Sequence, residues 1–237
     1  MIPIRDSVFC RSTPYAVITL IVLNALVFLH MQGLQGLDAR RFVVEWGLLP
    51  ILFSPPEGVR IPPLGLGHYA TFVTYTVLHG GWLHLIFNLW TLWLFGCALE
   101  SRLGTLRFVL FYLACGIGAG VVHVWFNPGS PVPVIGASGA VAGVIAAYAW
   151  SYPRAEILLL IPIVIFPLFI EVPAMLFAAL WFGLQIMQGS AELLQPAMGG
   201  SIAWWAHAGG FVVGIVVLQL LAPRDRKPLP WDHRRKR

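Results

Sequence analysis

Four side chains, far apart in the chain and each set in an apolar run, have the types that nucleophilic acyl transfer requires: His84, Asn88, Ser138 and His207. A hydroxyl beside an imidazole can attack a carbonyl, the imidazole taking the proton and later returning it to the leaving amine. A second imidazole and a carboxamide, with a backbone N–H at a helix start, can hold the oxygen on which negative charge develops. Ser138 lies in Gly136-Ala137-Ser138-Gly139-Ala140, a run of the smallest residues. Taken alone, such a run also describes a patch through which membrane helices approach each other. Chemistry depends on whether the chain brings the four residues to one place.

Their surroundings are those of a membrane. Of 237 residues, 58% are hydrophobic and 11% charged, and the mean hydropathy is +0.80, far from the composition of soluble domains. The net charge of +5 is concentrated in the tail Arg224 to Arg237. Beside a membrane span, such a tail marks the cytoplasmic side and meets anionic lipid headgroups; nucleic acid is not an expected partner. No Asp occurs between Tyr69 and Ala222, so the serine and histidine read as a dyad without a third carboxylate. Cys10, Cys97 and Cys115 lack metal-ligand spacing. Neither a zinc site nor a disulfide framework is indicated, and no metal or other cofactor is expected.

Apolar runs and breakers divide the chain into a short cytoplasmic N-terminus, 1–14, a membrane domain, 15–222, and a basic cytoplasmic tail, 223–237. Spans are expected over about 15–30, 82–100, 106–126, 138–152, 172–188 and 202–221. The first has the outline of a signal peptide, yet no small-x-small cleavage pattern follows, so it reads as an uncleaved span. Residues 31–67 are too polar to cross; their apolar clusters, Phe42-Val43-Val44 and Trp46-Gly47-Leu48-Leu49, suit short pieces in the interface. Pro162, Pro167 and Pro173 make 158–170 an irregular or extended approach to the fifth span. The fourth span is short: from Ser138 to Tyr152 it gives roughly 22 Å of helix against a hydrocarbon core of about 30 Å. Its N-terminus therefore begins inside the membrane.

Six spans put both ends on one side. Arg5, Arg11, Arg102, Arg107, Arg154 and the tail make that side the cytoplasm; Arg40, Arg41 and Arg60 fall outside, in a loop long enough to weaken the rule. Spans two, four and six then run inward, and all four polar residues, lying near the starts of these spans, fall in the same outer half of the bilayer. His84 and Asn88 share a helix face. His207, Gly210 and Gly214 form a bare stripe that matches Ser138, Ala142 and Ala149, so the two helices can approach closely. Unpartnered polar groups in the membrane cost about 1–3 kcal/mol each, so these residues must satisfy one another or a pocket of water.

Three stretches, His79-Gly80-Gly81-Trp82-Leu83-His84-Leu85-Ile86-Phe87-Asn88, Gly136-Ala137-Ser138-Gly139-Ala140 and Ala206-His207-Ala208-Gly209-Gly210, together resemble the signature of rhomboid intramembrane serine proteases. Glu100-Ser101-Arg102-Leu103-Gly104 is similar to the family's turn after the second span, and the likeness covers about Tyr69 to Ala222. The resemblance implies an all-α, six-transmembrane-helix bundle that cleaves transmembrane segments of single-span proteins through an acyl-enzyme, without metal or organic cofactor. It makes Ser138 the nucleophile and His207 the base, and puts His84 and Asn88, with the Ser138 N–H, in the oxyanion hole. His79 matches a structural histidine, and Gly136, Gly139 and Gly210 are small structural positions beside the site.

The expected partners are transmembrane protein substrates and membrane lipids, in a multi-pass setting such as a bacterial inner membrane with both termini cytoplasmic. The fifth span, loosened by Pro167 and Pro173, and the loop Gly189 to Gly200 are the expected gate and cap, with Gly199-Gly200 as a hinge. Two departures stand out. Ala142 occupies a position where the family often sets an aromatic ring against the histidine, and the Trp-Arg pair of the first loop is absent, Trp46 being flanked by Glu45 and Gly47. The orientation of His207 and the anchoring of that loop must come from elsewhere.

Overall fold

A computed structural model describes residues 2–163, 166–194 and 203–222. The chain opens with strand β1 (Ile2–Asp6) and helix α1 (Tyr15–Gly33). The long loop holds α2 (Gly36–Trp46), α3 (Pro50–Phe53) and α4 (Leu66–Thr74), followed by a 3₁₀ turn at Tyr75–Val77. Then come α5 (Trp82–Leu103), α6 (Thr105–Phe126), α7 (Ser138–Ser151), strands β2 (Glu156–Ile163) and β3 (Phe166–Pro173), α8 (Ala174–Leu194) and α9 (Trp204–Leu221). Among the described residues, α1, α5, α6, α8 and α9 are long and apolar enough to cross a membrane. With the shorter apolar α7 they form a polytopic helical bundle. The fifth span expected over 172–188 is instead α8: its first two residues belong to β3, and the helix continues to Leu194. Gly199-Gly200 and the basic tail lie outside the described residues.

Helices α5 and α7 each stop for a local reason. Gly104 takes φ +81°, a conformation that L side chains disfavour, and its N–H donates to the Glu100 carbonyl at 2.7 Å, closing α5 so that α6 starts at the next residue. Helix α7 ends just before Pro153, whose ring disfavours helical backbone at Tyr152. At 14 residues it spans about 21 Å.

Helix α7 is the centre of the molecule: every residue from Gly139 to Ala149 is buried. Its approach to α9 is close enough that a Cβ on Gly214 would lie 2.5 Å from Gly143 Cα, and one on Gly210 would overlap the Gly139 carbonyl. Gly139 and Gly143, four apart, thus face Gly210 and Gly214, two small-xxx-small pairs in backbone contact. The partners expected for the α9 stripe were Ser138, Ala142 and Ala149. The contact is made one position along because only glycine lets the backbones meet at this distance.

Helix α1 is fastened to the start of α6 by one carboxylate. Glu100, 2% exposed, accepts hydrogen bonds from the N–H groups of Ala16 and Val17, both at 2.9 Å, and from the Thr105 hydroxyl at 2.8 Å. First-turn amides have no partner within their own helix, and an acidic group is the natural one. In the long loop between α1 and α5, Leu48 exchanges N–H···O bonds with Val134 at 3.0 and 2.8 Å, and the Thr74 hydroxyl donates to the Trp46 carbonyl at 2.7 Å. These bonds anchor the first loop without a Trp-Arg pair. Helix α2 buries no residue.

The proline-interrupted stretch before α8 is extended, and more ordered than an irregular approach. Strands β2 and β3 pair antiparallel from Glu156↔Pro173 to Ile163↔Phe166. Pro162 and Pro167 face each other near the tip, and β1 adds to the free edge of β2, Ile2 opposite Leu160. The N-terminal segment is therefore a strand of a three-stranded sheet. Trp90 of α5 donates its indole N–H to the Pro3 carbonyl at 2.6 Å, and Tyr148 of α7 donates its hydroxyl to Asp6 Oδ2 at 2.7 Å. Burial raises the Asp6 carboxyl above its ordinary value, opposed by the Tyr148 bond. Cys10 and Cys97 are paired as a disulfide, with Cα atoms 5.6 Å apart, contrary to the expectation from spacing alone. The two are 87 positions apart in sequence and meet only through the tertiary fold.

Candidate active site

The first turn of α7 meets the first turn of α9 where the glycine contact begins. Ser138 Oγ and His207 Nε2 lie 2.8 Å apart, a hydrogen bond between the serine hydroxyl and the imidazole. Both residues are half-buried, so the pair is set within the bundle yet open on one side. Ser138 is the first residue of its helix, where main-chain N–H groups have no intrahelical carbonyl to bond.

His84 closes the other flank. Gly136 takes φ +127°, and a Cβ placed there would fall 2.7 Å from His84 Nε2 and 3.7 Å from Ser138 Oγ. The imidazole and the hydroxyl thus stand on either side of a backbone position that only glycine fits. The Gly136 N–H donates to the Tyr75 carbonyl at 2.8 Å, and the buried Tyr75 hydroxyl donates to the Gly116 carbonyl at 2.8 Å. That chain of bonds ties the loop before Ser138 to α6.

Ser138, His207 and His84 come together; Asn88 stands one helical turn further along α5. It is buried, and its amide N–H donates to the His84 carbonyl at 2.9 Å, which holds it on its own helix face. His79 is buried with its ring 5.0 Å from that of His84, edge to face, so it packs behind that imidazole rather than beside Ser138. Gly139 and Gly210 are the close-contact positions described above.

Two residues at the site were absent from the sequence reading. Gln185 of α8 has its Oε1 2.8 Å from His207 Nδ1. Trp181, one turn earlier, sets its indole 5.8 Å from the imidazole at 36° between planes. A carboxamide within an otherwise apolar span is the signal that could have found Gln185. Its partner could not be read locally, because α8 and α9 meet only in the fold.

A helical membrane bundle in which the starts of three helices bring a hydroxyl, two imidazoles and helix-start amides to one level holds the parts of a serine hydrolase. The chain belongs to the rhomboid family: the Rhomboid domain matches residues 66–224, more than half of its length. Rhomboid protease GluP of Bacillus subtilis is 43% identical over 81 residues, which are 34% of this chain and 15% of that protein. Rhomboid-like protein 11, chloroplastic, of Arabidopsis thaliana is 33% identical over 161 residues, 64% of this chain and 52% of that protein. Rhomboid protein 1, mitochondrial, of Saccharomyces cerevisiae is 29% identical over 142 residues, 58% of this chain and 38% of that protein. The chain thus spans about half, or less, of the length of these relatives. They come from a bacterium, a plant and a yeast, and two are named for organelles, so the likeness places the chain in a membrane without naming the compartment.

Proposed function

We propose that the protein is an intramembrane serine endopeptidase that cuts the transmembrane segments of single-span proteins through a Ser138–His207 dyad and an acyl-enzyme. The 2.8 Å Oγ to Nε2 contact carries the reading. Ser138 Oγ bonds to the carbonyl carbon of the scissile peptide as its proton passes to His207 Nε2. The carbonyl oxygen takes the electron pair and is met by the Ser138 N–H and the His84 imidazole, with Asn88 one turn behind. Collapse of this intermediate breaks the C–N bond, and the amine leaves with the proton from Nε2. A water then repeats the sequence on the ester, giving the carboxylic acid and free Ser138.

A membrane helix buries its own carbonyls, so the substrate must unwind near the cut, which favours small or helix-breaking residues there. Substrates reach the half-buried pair sideways from lipid, with α8 as the gate. The charge pattern supports a topology with both termini in the cytoplasm and the dyad in the outer half of the membrane. The test uses purified protein in detergent with a single-span substrate and mass spectrometry of the fragments. Cleavage at one bond by the parent, lost in both Ser138→Ala and His207→Ala, is the expected outcome. Substrate that binds the parent and is never cut favours a binding protein without protease activity.

A further inference from the structure

The orientation of His207 has a source in α8. We propose that Gln185 is a positioning residue that holds His207 in the tautomer able to take the Ser138 proton, with Trp181 fixing the plane of the imidazole. The inference rests on Ser138 acting as the nucleophile.

The tautomer follows from the bonds. Gln185 Nε2 donates to the Trp181 carbonyl one turn back, at 3.3 Å, which turns Oε1 toward His207 Nδ1 at 2.8 Å. An amide oxygen only accepts, so Nδ1 carries the hydrogen. In a neutral imidazole Nε2 is then the acceptor, and it is Nε2 that faces the Ser138 hydroxyl at 2.8 Å. The opposite tautomer would put a hydrogen on Nε2 and leave the serine without a base. Once Nε2 has taken the proton, Nδ1–H still donates to Gln185, so the bond persists through the step.

The contact is built into the protein interior. Gln185 is 6% exposed. Trp181, four residues earlier and so on the same face, is stacked on Phe211 at 6.2 Å and 21° as well as lying against His207. Phe211 is itself four residues after His207 on α9, so two pairs of one-turn neighbours interlock. One turn after Ser138, α7 carries a buried alanine at position 142 and so brings no ring there. The ring and the hydrogen-bond partner both come from α8 instead. A displacement of α8 that admits a substrate also removes the partner of Nδ1, and the helix must return before Ser138 can be deprotonated.

The experiment measures kcat and KM for cleavage of a single-span substrate by the full chain in detergent, with thermal unfolding of each variant. Gln185→Leu is expected to lower kcat by about 10- to 100-fold with KM within about twofold, because the base is misaligned and substrate contacts are kept. Gln185→Glu, whose carboxylate accepts the same bond, is expected to stay within about threefold of the parent. If Gln185→Leu does not fold, Gln185→Met takes its place with the same expectation. A parental kcat in the apolar variant overturns the inference, as does Gln185→Glu falling as far as Gln185→Leu. Cleavage that survives Ser138→Ala overturns the proposed function instead, and a parent that cuts nothing overturns both.

Discussion

Gly136 shows how narrowly a single residue constrains this site. It combines a φ of +127° with a neighbour, the His84 ring, where its own Cβ would sit. A non-glycine residue in that backbone region costs about 1–3 kcal/mol, and here the added methyl also pushes the imidazole away from Ser138. Gly136→Ala is expected to lower the cleavage rate at least about tenfold. Gly183→Ala serves as its control, since Gly183 lies in a helix with open space around it and alanine there is the better helix former. An unchanged rate in Gly136→Ala would mean that His84 takes no part in the chemistry. In the proposed dyad the task left to a third residue is orientation, and a neutral amide can do that without adding a buried charge.

At the scale of elements, the geometry of the Ser138–His207 pair is a consequence of one helix crossing. The distance between Ser138 and His207 is set by Gly139 and Gly143 resting on Gly210 and Gly214, with main chain against main chain. Lipid is as apolar as leucine, so this crossing gains from close van der Waals contact rather than from exclusion of water. A larger side chain at the second contact has no soft neighbour to displace. Gly214→Leu is expected to pry α9 from α7, lowering thermal stability and abolishing labelling of Ser138 by a serine-directed fluorophosphonate. Full labelling at parental stability would show that the helices have another way to pack. Glu100, capping α1 from the far end of α5, does the corresponding work at the opposite end of the bundle through hydrogen bonds instead of glycine.

For the whole molecule, the proposed function sets α5, α7 and α9 to start at the outer side. That orientation rests on Arg102, Arg107 and Arg154 outweighing Arg40, Arg41 and Arg60. Single cysteines placed by Arg60→Cys and Arg154→Cys, in a chain whose own three cysteines are replaced by alanine, give the check in intact cells with a membrane-impermeant maleimide. The first is expected to react and the second to be protected; the reverse pattern would turn the site toward the cytoplasm. Hydropathy, helix breakers and charge were enough to read the apolar helices, the shortness of α7 and the nearness of His84, Ser138 and His207, with Asn88 a turn away, because each of these is local or follows from counting apolar segments. The family was legible for the same reason: its motifs are contiguous. Three things required the tertiary structure. One was the strand pairing of Ile2–Asp6 with Glu156–Ile163, across some 150 residues of chain. Another was the choice of Gly139 and Gly143 over Ala142 and Ala149, a matter of one position on a helix face. The third was the meeting of Gln185 with His207. All three are decided by how elements lie against one another, and periodicity within a single element carries no record of its neighbour.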